Sequence, residues 1–235
     1  MPEKYYPNKL YPFQDEVLQL IQTVNSSFYL TGGTVLSRCY FNHRYSDDLD
    51  FFMNSNPDFK KETHLIIDRL KEKPGWMLEI GTVSDSFVRL VLEKDKISLK
   101  IDFVNDVKFH AGSLETHPLF HRIDNCTNIL SNKLCAISRM DVKDLVDILF
   151  ISKTCQFNWN DIVKDAREKD LWVEPLELCK IIKDFPMQLL KTVKWIIPVN
   201  IEIMRDDINS LHDDIFFGRE NSLKSLQKQG KKEGS

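Results

Sequence analysis

Two carboxylates set into an apolar strand constrain this chain more than any other feature. In Asp48-Leu-Asp-Phe-Phe-Met53 the apolar residues Leu49 and Phe51 read as one buried face, so a strand's two-residue period sends Asp48 and Asp50 out of the opposite face together. Like charges on one face repel, and a divalent cation is the simplest relief. The competing reading is a solvated acidic turn after Tyr45-Ser46. Upstream, Phe28-Tyr-Leu-Thr-Gly-Gly-Thr34 reads as a buried strand that breaks at Gly32-Gly33 and restarts as a helix, which converges backbone N–H groups where a phosphate can sit. A Gly-Gly pair alone equally serves a plain turn. A phosphate cradle beside paired acids is the apparatus of nucleotidyl transfer, in which metal ions stabilise attacking and leaving oxygens.

The remaining pattern is arranged around that pair of segments. Val17, Leu18, Leu20, Ile21 and Val24 share a helical face and predict a helix over 13–25; Thr34 to Phe41 forms a second, and Phe59, Ile66, Ile67 and Leu70 mark a third over 58–72, stopped by Pro74-Gly75. Over 76–104 the period changes to two. Val88, Leu90 and Leu92, then Ile97, Leu99, Ile101 and Phe103, predict successive strands joined through Glu93-Lys-Asp-Lys96, and the other face of the last strand carries Ser98, Lys100 and Asp102. Residues 105–126 read as an irregular junction. His117 and His121 stand four apart there, but Pro118 and the missing His-Glu-x-x-His frame argue against zinc. Beyond 127 the pattern is helical, with further helices predicted over 158–169, 174–184, 186–196 and 200–217. The expected division is a core over 1–110, a connector over 111–126, a helical domain over 127–218 and a flexible tail over 219–235.

Composition bounds the function classes. With 235 residues, 42% hydrophobic and 29% charged, the chain holds one large domain or two modest ones, and a formal net charge of −3 argues against wholesale electrostatic capture of nucleic acid. Five scattered cysteines without a Cys-x-x-Cys pair read as reduced thiols of a cytoplasmic protein. No apolar run approaches the roughly 20 residues that span a bilayer, and Met1-Pro-Glu-Lys-Tyr-Tyr-Pro has no apolar signal core, so no membrane partner is expected.

Leu30-Thr-Gly-Gly-Thr-Val-Leu36 and His43-Arg-Tyr-Ser-Asp-Asp-Leu-Asp-Phe-Phe52, with Asn132-Lys-Leu-Cys-Ala-Ile-Ser-Arg139 and Lys143-Asp-Leu-Val-Asp-Ile-Leu149 following in order, resemble the AbiEii/AbiGii toxin-type nucleotidyltransferases. These are a branch of the DNA polymerase β-like superfamily, and the resemblance spans roughly residues 10 to 155. It implies an α/β (α+β) nucleotidyltransferase fold with a mixed β-sheet, plus an all-α C-terminal domain. The implied reaction moves a nucleoside monophosphate from an NTP, with Mg²⁺ or Mn²⁺, to a tRNA or RNA 3′ end or a protein hydroxyl. The implied role is the toxin of a type IV toxin–antitoxin or abortive-infection system, which leaves room for a cognate antitoxin. By the same resemblance Asp48 and Asp50 hold metal, and Asp102 on the neighbouring strand is the third acid. Gly32, Gly33 and Thr34 hold the triphosphate with Ser46 and Lys133, and Asp144 works near the acceptor's attacking group. Turn-making, capping and snorkelling are the competing readings for Gly32-Gly33, Ser46 and Lys133 respectively. Lys143 stands where the family more often has arginine. Asp147 receives no role, and for Arg38, Arg44 and Arg139 a solvated face competes with phosphate binding. Two rivals remain: a silent nucleotide-binding or protein-interaction module, and a small-molecule (aminoglycoside-like) nucleotidyltransferase on the same scaffold.

Overall fold

The computed structural model describes residues 2–224. Its contacts divide the chain into two units, Met1–Asn125 and Cys126–Ser235.

The first unit is built on a mixed seven-stranded sheet in the order β3-β4-β5-β2-β1-β7-β6. Its strands are β1 (Tyr29–Thr31), β2 (Leu49–Asn54), β3 (Met77–Val83), β4 (Phe87–Lys94), β5 (Ile97–Asp106), β6 (Glu115–His117) and β7 (Phe120–Ile123). Helices α1 (Pro2–Tyr5), α2 (Tyr11–Gln22), α3 (Gly32–Val35) and α4 (Phe59–Lys71) complete it, with π-helical turns at Tyr6–Leu10 and Leu36–Phe41. β2 pairs antiparallel with β1 and parallel with β5, while β4 pairs antiparallel with β5. The β4–β5 turn works because Asp95 and Lys96 both take positive φ, 52° and 63°, the backbone that matches the twist of flanking strands.

Alternation along β2 and β5 sorts their side chains as the period of two requires. Leu49, Phe51, Leu99, Ile101 and Phe103 are fully buried. Phe51 stacks on Phe103 with centroids 5.4 Å apart, and Phe28, Phe59 and Phe120 close round them edge-on. Fully burying one such side chain contributes about 1.5–3 kcal/mol, so this aromatic layer fixes which face of the sheet is dry.

Two expectations for this part of the chain need correction. Residues 111–126 are not an irregular connector: β6 and β7 lie there, and β7 pairs parallel with β1 through Leu30 and Ile123. They are too short for alternation to show, and Pro118 interrupts them. The expected helix over 34–41 is α helix only as far as Val35 and then a π turn, because Asn42 adopts a left-handed φ of 50° and its N–H reaches back to the Ser37 carbonyl.

The second unit's regular elements, among the described residues, are helical: α5 (Cys126–Ala136), α6 (Val142–Thr154), α7 (Trp159–Arg167), α8 (Pro175–Lys183) and α9 (Ile201–Phe217), with 3₁₀ turns at Ile137–Arg139 and Met187–Thr192. The second of these turns stands where a helix over 186–196 was expected. Trp159, Leu130, Leu134, Leu145, Ile148 and Leu211 make its core. Residues 219–224 are not a loose tail. Leu223 and Asn221 are buried, and the Asn221 amide donates to the Ser152 and Cys155 carbonyls at 2.6 and 2.7 Å, closing the end of α6. The rest of the expected tail, 225–235, lies outside the described residues. No described helix is long and apolar enough to cross a membrane.

Gly32 is a backbone position with little latitude. Its φ is +71°, and a Cβ added there would stand 2.5 Å from Asp50 Oδ2; Gly75, at φ +79°, has nothing within 4 Å. Left-handed backbone costs an L-residue about 1–2 kcal/mol at either position. Gly32→Ala should therefore destabilise the protein by at least about 1 kcal/mol more than Gly75→Ala, as read by equilibrium denaturant unfolding.

Candidate active site

Strand register assembles the site. Thr31 of β1, Asp50 of β2, Asp102 of β5 and Arg89 of β4 are successive partners across adjacent strands, so their side chains leave one face in a single row. The flanking rows, Leu30-Phe51-Phe103-Val88 and Leu49-Ile101-Leu90, point the other way into the core. The polar row is the place where this sheet offers carboxylates to a ligand.

Asp48 lies one residue before β2 and is drawn to the same face. Lys100, two residues before Asp102 on β5, sets its Nζ 2.7 Å from Asp48 Oδ2 and 3.8 Å from Asp102 Oδ2. Asp102 is nearly buried, with both oxygens accepting from Arg89 at 2.8 Å. Burial pulls the Lys100 ammonium down most strongly, but Asp48, then Asp102 and Asp50, outweigh it and hold Lys100 above its ordinary value. The hydrogen bond to Asp102 likewise holds Arg89 up. Both side chains stay cationic, and they balance the acids of the row. The Thr31 end is anchored separately: its hydroxyl donates to the wholly buried Asp124 at 2.6 Å, and His110 Nε2 lies 3.1 Å from that carboxylate's other oxygen.

The Gly-Gly turn meets the acids directly. Gly32 approaches Asp50 so closely that only glycine fits, and Gly33 admits the buried Arg44, whose Nη2 would lie 2.5 Å from an added Cβ with Ser46 Oγ at 3.1 Å. The turn therefore has Asp50 packed against Gly32 and a guanidinium and a hydroxyl packed against Gly33, a grouping that, with the turn's backbone donors, is suited to phosphate oxygens. Thr34 departs from expectation. Its hydroxyl is buried and donates to the Asp48 carbonyl, so it fixes the entry of β2 and does not present itself to a phosphate.

The loop before β2 is clamped from the N-terminal segment. Tyr6 stacks on Tyr45 with centroids 4.2 Å apart, and its hydroxyl donates to Asp47. Burial and that carboxylate together push the Tyr6 hydroxyl far above its ordinary range. Gln14 donates to the Asp47 carbonyl at 3.2 Å, and the Ser46 N–H donates to Tyr11 at 3.2 Å. Arg38, a candidate phosphate cation from sequence, is committed to Asp15 at 2.6 Å and lies over the Tyr11 ring.

In the second unit Lys133 is held by two acids, 2.8 Å from Asp144 Oδ1 and 2.7 Å from Asp147 Oδ2; Arg139 adds 2.9 Å to Asp144 Oδ2. Asp144 and Asp147 are buried, while the Arg139 side chain is 67% exposed. Lys133 is thus neither snorkelled nor solvated. Sequence left Asp147 without a role; three-residue spacing from Asp144 on α6 makes it the second arm of this clamp.

The acids fit a hard, oxygen-seeking divalent cation in chemistry, but not as a three-carboxylate cage. Among the described residues no three His, Cys, Asp or Glu side chains group closely enough to hold an ion by themselves. Arg89 donates to both oxygens of Asp102, so Asp102 is the most heavily engaged acid of the three. Asp48 and Asp50 remain as a two-carboxylate platform, the arrangement in which Mg²⁺ completes its shell with water and substrate phosphates.

A family profile described as "Nucleotidyl transferase AbiEii toxin, Type IV TA system" matches residues 19–223. Among solved structures, MenT4, a nucleotidyltransferase toxin from Mycobacterium tuberculosis, is similar in fold with a TM-score of 0.66 at 16% identity, covering 92% of this chain and 85% of its own. JHP933 from Helicobacter pylori aligns with a TM-score of 0.57 at 17% identity over 97% of this chain and 99% of its own. No curated protein matches in sequence.

The Asp144 cluster gives a pH prediction. Burial, the largest influence, pushes its carboxyl up, but Lys133 and Arg139 together outweigh burial and hold it below the ordinary 3.8. A depressed carboxyl contributes stability that is full above the unfolded value and is lost as pH falls through the folded one. Asp144→Asn should cost about 1–3 kcal/mol at neutral pH, and should lose less further stability than wild type between about pH 5 and about pH 2. Urea unfolding across that range measures both.

Proposed function

Because the chain belongs to the AbiEii family of nucleotidyltransferase toxins, we propose that it transfers a nucleoside monophosphate from an NTP to an acceptor hydroxyl at the Asp48/Asp50 face. The observation that carries this reading is how closely Asp50 packs on the turn, its Oδ2 standing 2.5 Å from where a Cβ on Gly32 would lie: the turn we read as phosphate-binding and the carboxylate we read as metal-binding share one spot. In the reaction the acceptor oxygen bonds to the α-phosphorus, the bond from that phosphorus to the bridging oxygen breaks, and pyrophosphate leaves.

Asp48 and Asp50 would hold Mg²⁺ or Mn²⁺, which when bound draws charge from the attacking and leaving oxygens. The N–H groups of the Gly32-Gly33-Thr34 turn, with Arg44 and Ser46, hold the phosphate oxygens. Thr34 contributes its backbone, since its hydroxyl is spent on Asp48. Asp102 keeps Arg89 and Lys100 aimed along the row. Lys133 enters by family resemblance as a further phosphate cation, and to act so it exchanges one of its two carboxylates for phosphate. By the same resemblance Asp144, a carboxylate that Lys133 and Arg139 keep ionised, works near the acceptor's attacking group. The acceptor we propose is a tRNA or RNA 3′ end or a protein hydroxyl in the cytoplasm, with a cognate antitoxin restraining the enzyme.

Asp50→Asn removes a ligand charge and almost no volume. Incubated with each α-labelled NTP, Mg²⁺ and total cellular RNA or lysate, wild type should label a polymer, and folded Asp50→Asn should label it at least about a hundredfold more slowly. Full labelling by that variant would sink the reading.

Toxicity has its own measurement. Induced expression in a bacterial host should slow growth for wild type and not for Asp48→Ala; equal growth curves would move weight to a silent module or to a small-molecule acceptor.

A further inference from the structure

Lys100 has no direct part in the chemistry above, yet it stands against the acid proposed to hold metal. Its ammonium lies 2.7 Å from Asp48 Oδ2 and 3.8 Å from Asp102 Oδ2. A divalent ion ligated by that same Asp48 oxygen would sit about 2.1 Å from it. Ammonium and metal would then stand within about 5 Å of each other, where like charges repel. The two cations of the row differ in how readily they can leave. Arg89 is locked by a planar, two-point bond to Asp102, a geometry that resists displacement. Lys100 makes one close contact, to Asp48, and a longer one to Asp102, through a flexible four-carbon stem, and its side chain is 35% exposed.

We propose that Lys100 is a place-holder for the divalent cation: it neutralises Asp48 in the metal-free enzyme, leaves when metal enters with nucleotide, and then pairs with the phosphate oxygens. The inference rests on the nucleotidyl-transfer reading and adds an order of events to it. Metal alone must displace an ammonium whose alternatives are water and Asp102, a carboxylate that Arg89 already engages. Metal with a nucleotide brings the phosphates that receive it. The coupling is reciprocal, so the enzyme binds metal weakly until nucleotide arrives and discriminates against either ligand alone.

Mn²⁺ titration of the full chain, followed by electron paramagnetic resonance with and without a non-hydrolysable NTP analogue, tests this. Lys100→Met and Lys100→Gln should bind Mn²⁺ alone about fivefold or more tightly than wild type. Both should lose most of the gain in Mn²⁺ affinity that the analogue gives wild type, and Lys100→Arg, which keeps the charge, should stay close to wild type. Mn²⁺ affinity unchanged in the neutral variants, with wild type binding normally, overturns the place-holder and leaves the metal site standing. Absence of Mn²⁺ binding by wild type even with the analogue overturns both. A readout that needs no variant is the reductive methylation rate of Lys100, followed by mass spectrometry: Mn²⁺ without nucleotide should raise it, and an unchanged rate at saturating Mn²⁺ counts against displacement.

Discussion

The site depends on strand register before it depends on any single side chain. Thr31, Asp50, Asp102 and Arg89 come from strands separated by as many as 71 positions in the chain, and they meet because β1, β2, β5 and β4 pair at matching positions. A slip of one residue in β2 would turn Leu49 and Phe51 outward and drive Asp50 into the aromatic layer around Phe103. Burying an unpaired carboxylate there is prohibitive, so the packing of Phe28, Phe51, Phe59, Phe103 and Phe120 holds the acids in place from behind. Core and acidic face are two consequences of one alternation.

Charge balance is the second layer. Three carboxylates on one face would repel, and Lys100 and Arg89 supply the compensation within the same sheet. The two pairs have different permanence: Arg89 and Asp102 form a fixed unit, while Lys100 on Asp48 is the replaceable one. The helical unit repeats this logic in a drier setting, where Lys133 is shared between Asp144 and Asp147. A lysine so held is costly to leave unpaired, which explains why its two acids are buried at one turn's spacing on α6.

The strongest periodicities were legible in the sequence. The alternation over Val88–Leu92 and Leu99–Phe103 and the helical stripes of α2, α4 and α9 all stand where the pattern put them, give or take a few residues. So did the Gly-Gly break and the acids on a polar face. Short or irregular elements were not legible: β6 and β7 carry three and four residues, below the length at which a period can be read. Counter-ions were hidden for a different reason. Lys100 was visible on the face that carries Asp102, but which acid it touches follows from the parallel pairing of β2 with β5, and nothing local states that pairing. Arg44 looked like any loop arginine until the turn brought Gly33 against it. Thr34 misled because a hydroxyl after a glycine turn can face phosphate or backbone, and here the Asp48 carbonyl takes it.

The central claim is that the Asp48/Asp50 face is a metal–nucleotide site. Anomalous scattering from crystals grown with Mn²⁺ and a non-hydrolysable NTP analogue tests it most directly. The account predicts a Mn²⁺ peak within about 2.0–2.2 Å of carboxylate oxygens of both Asp48 and Asp50, with the analogue's phosphates against the Gly32-Gly33 turn and Lys100 turned from Asp48 toward them. Mn²⁺ bound elsewhere, or an analogue bound without touching this face, would contradict it.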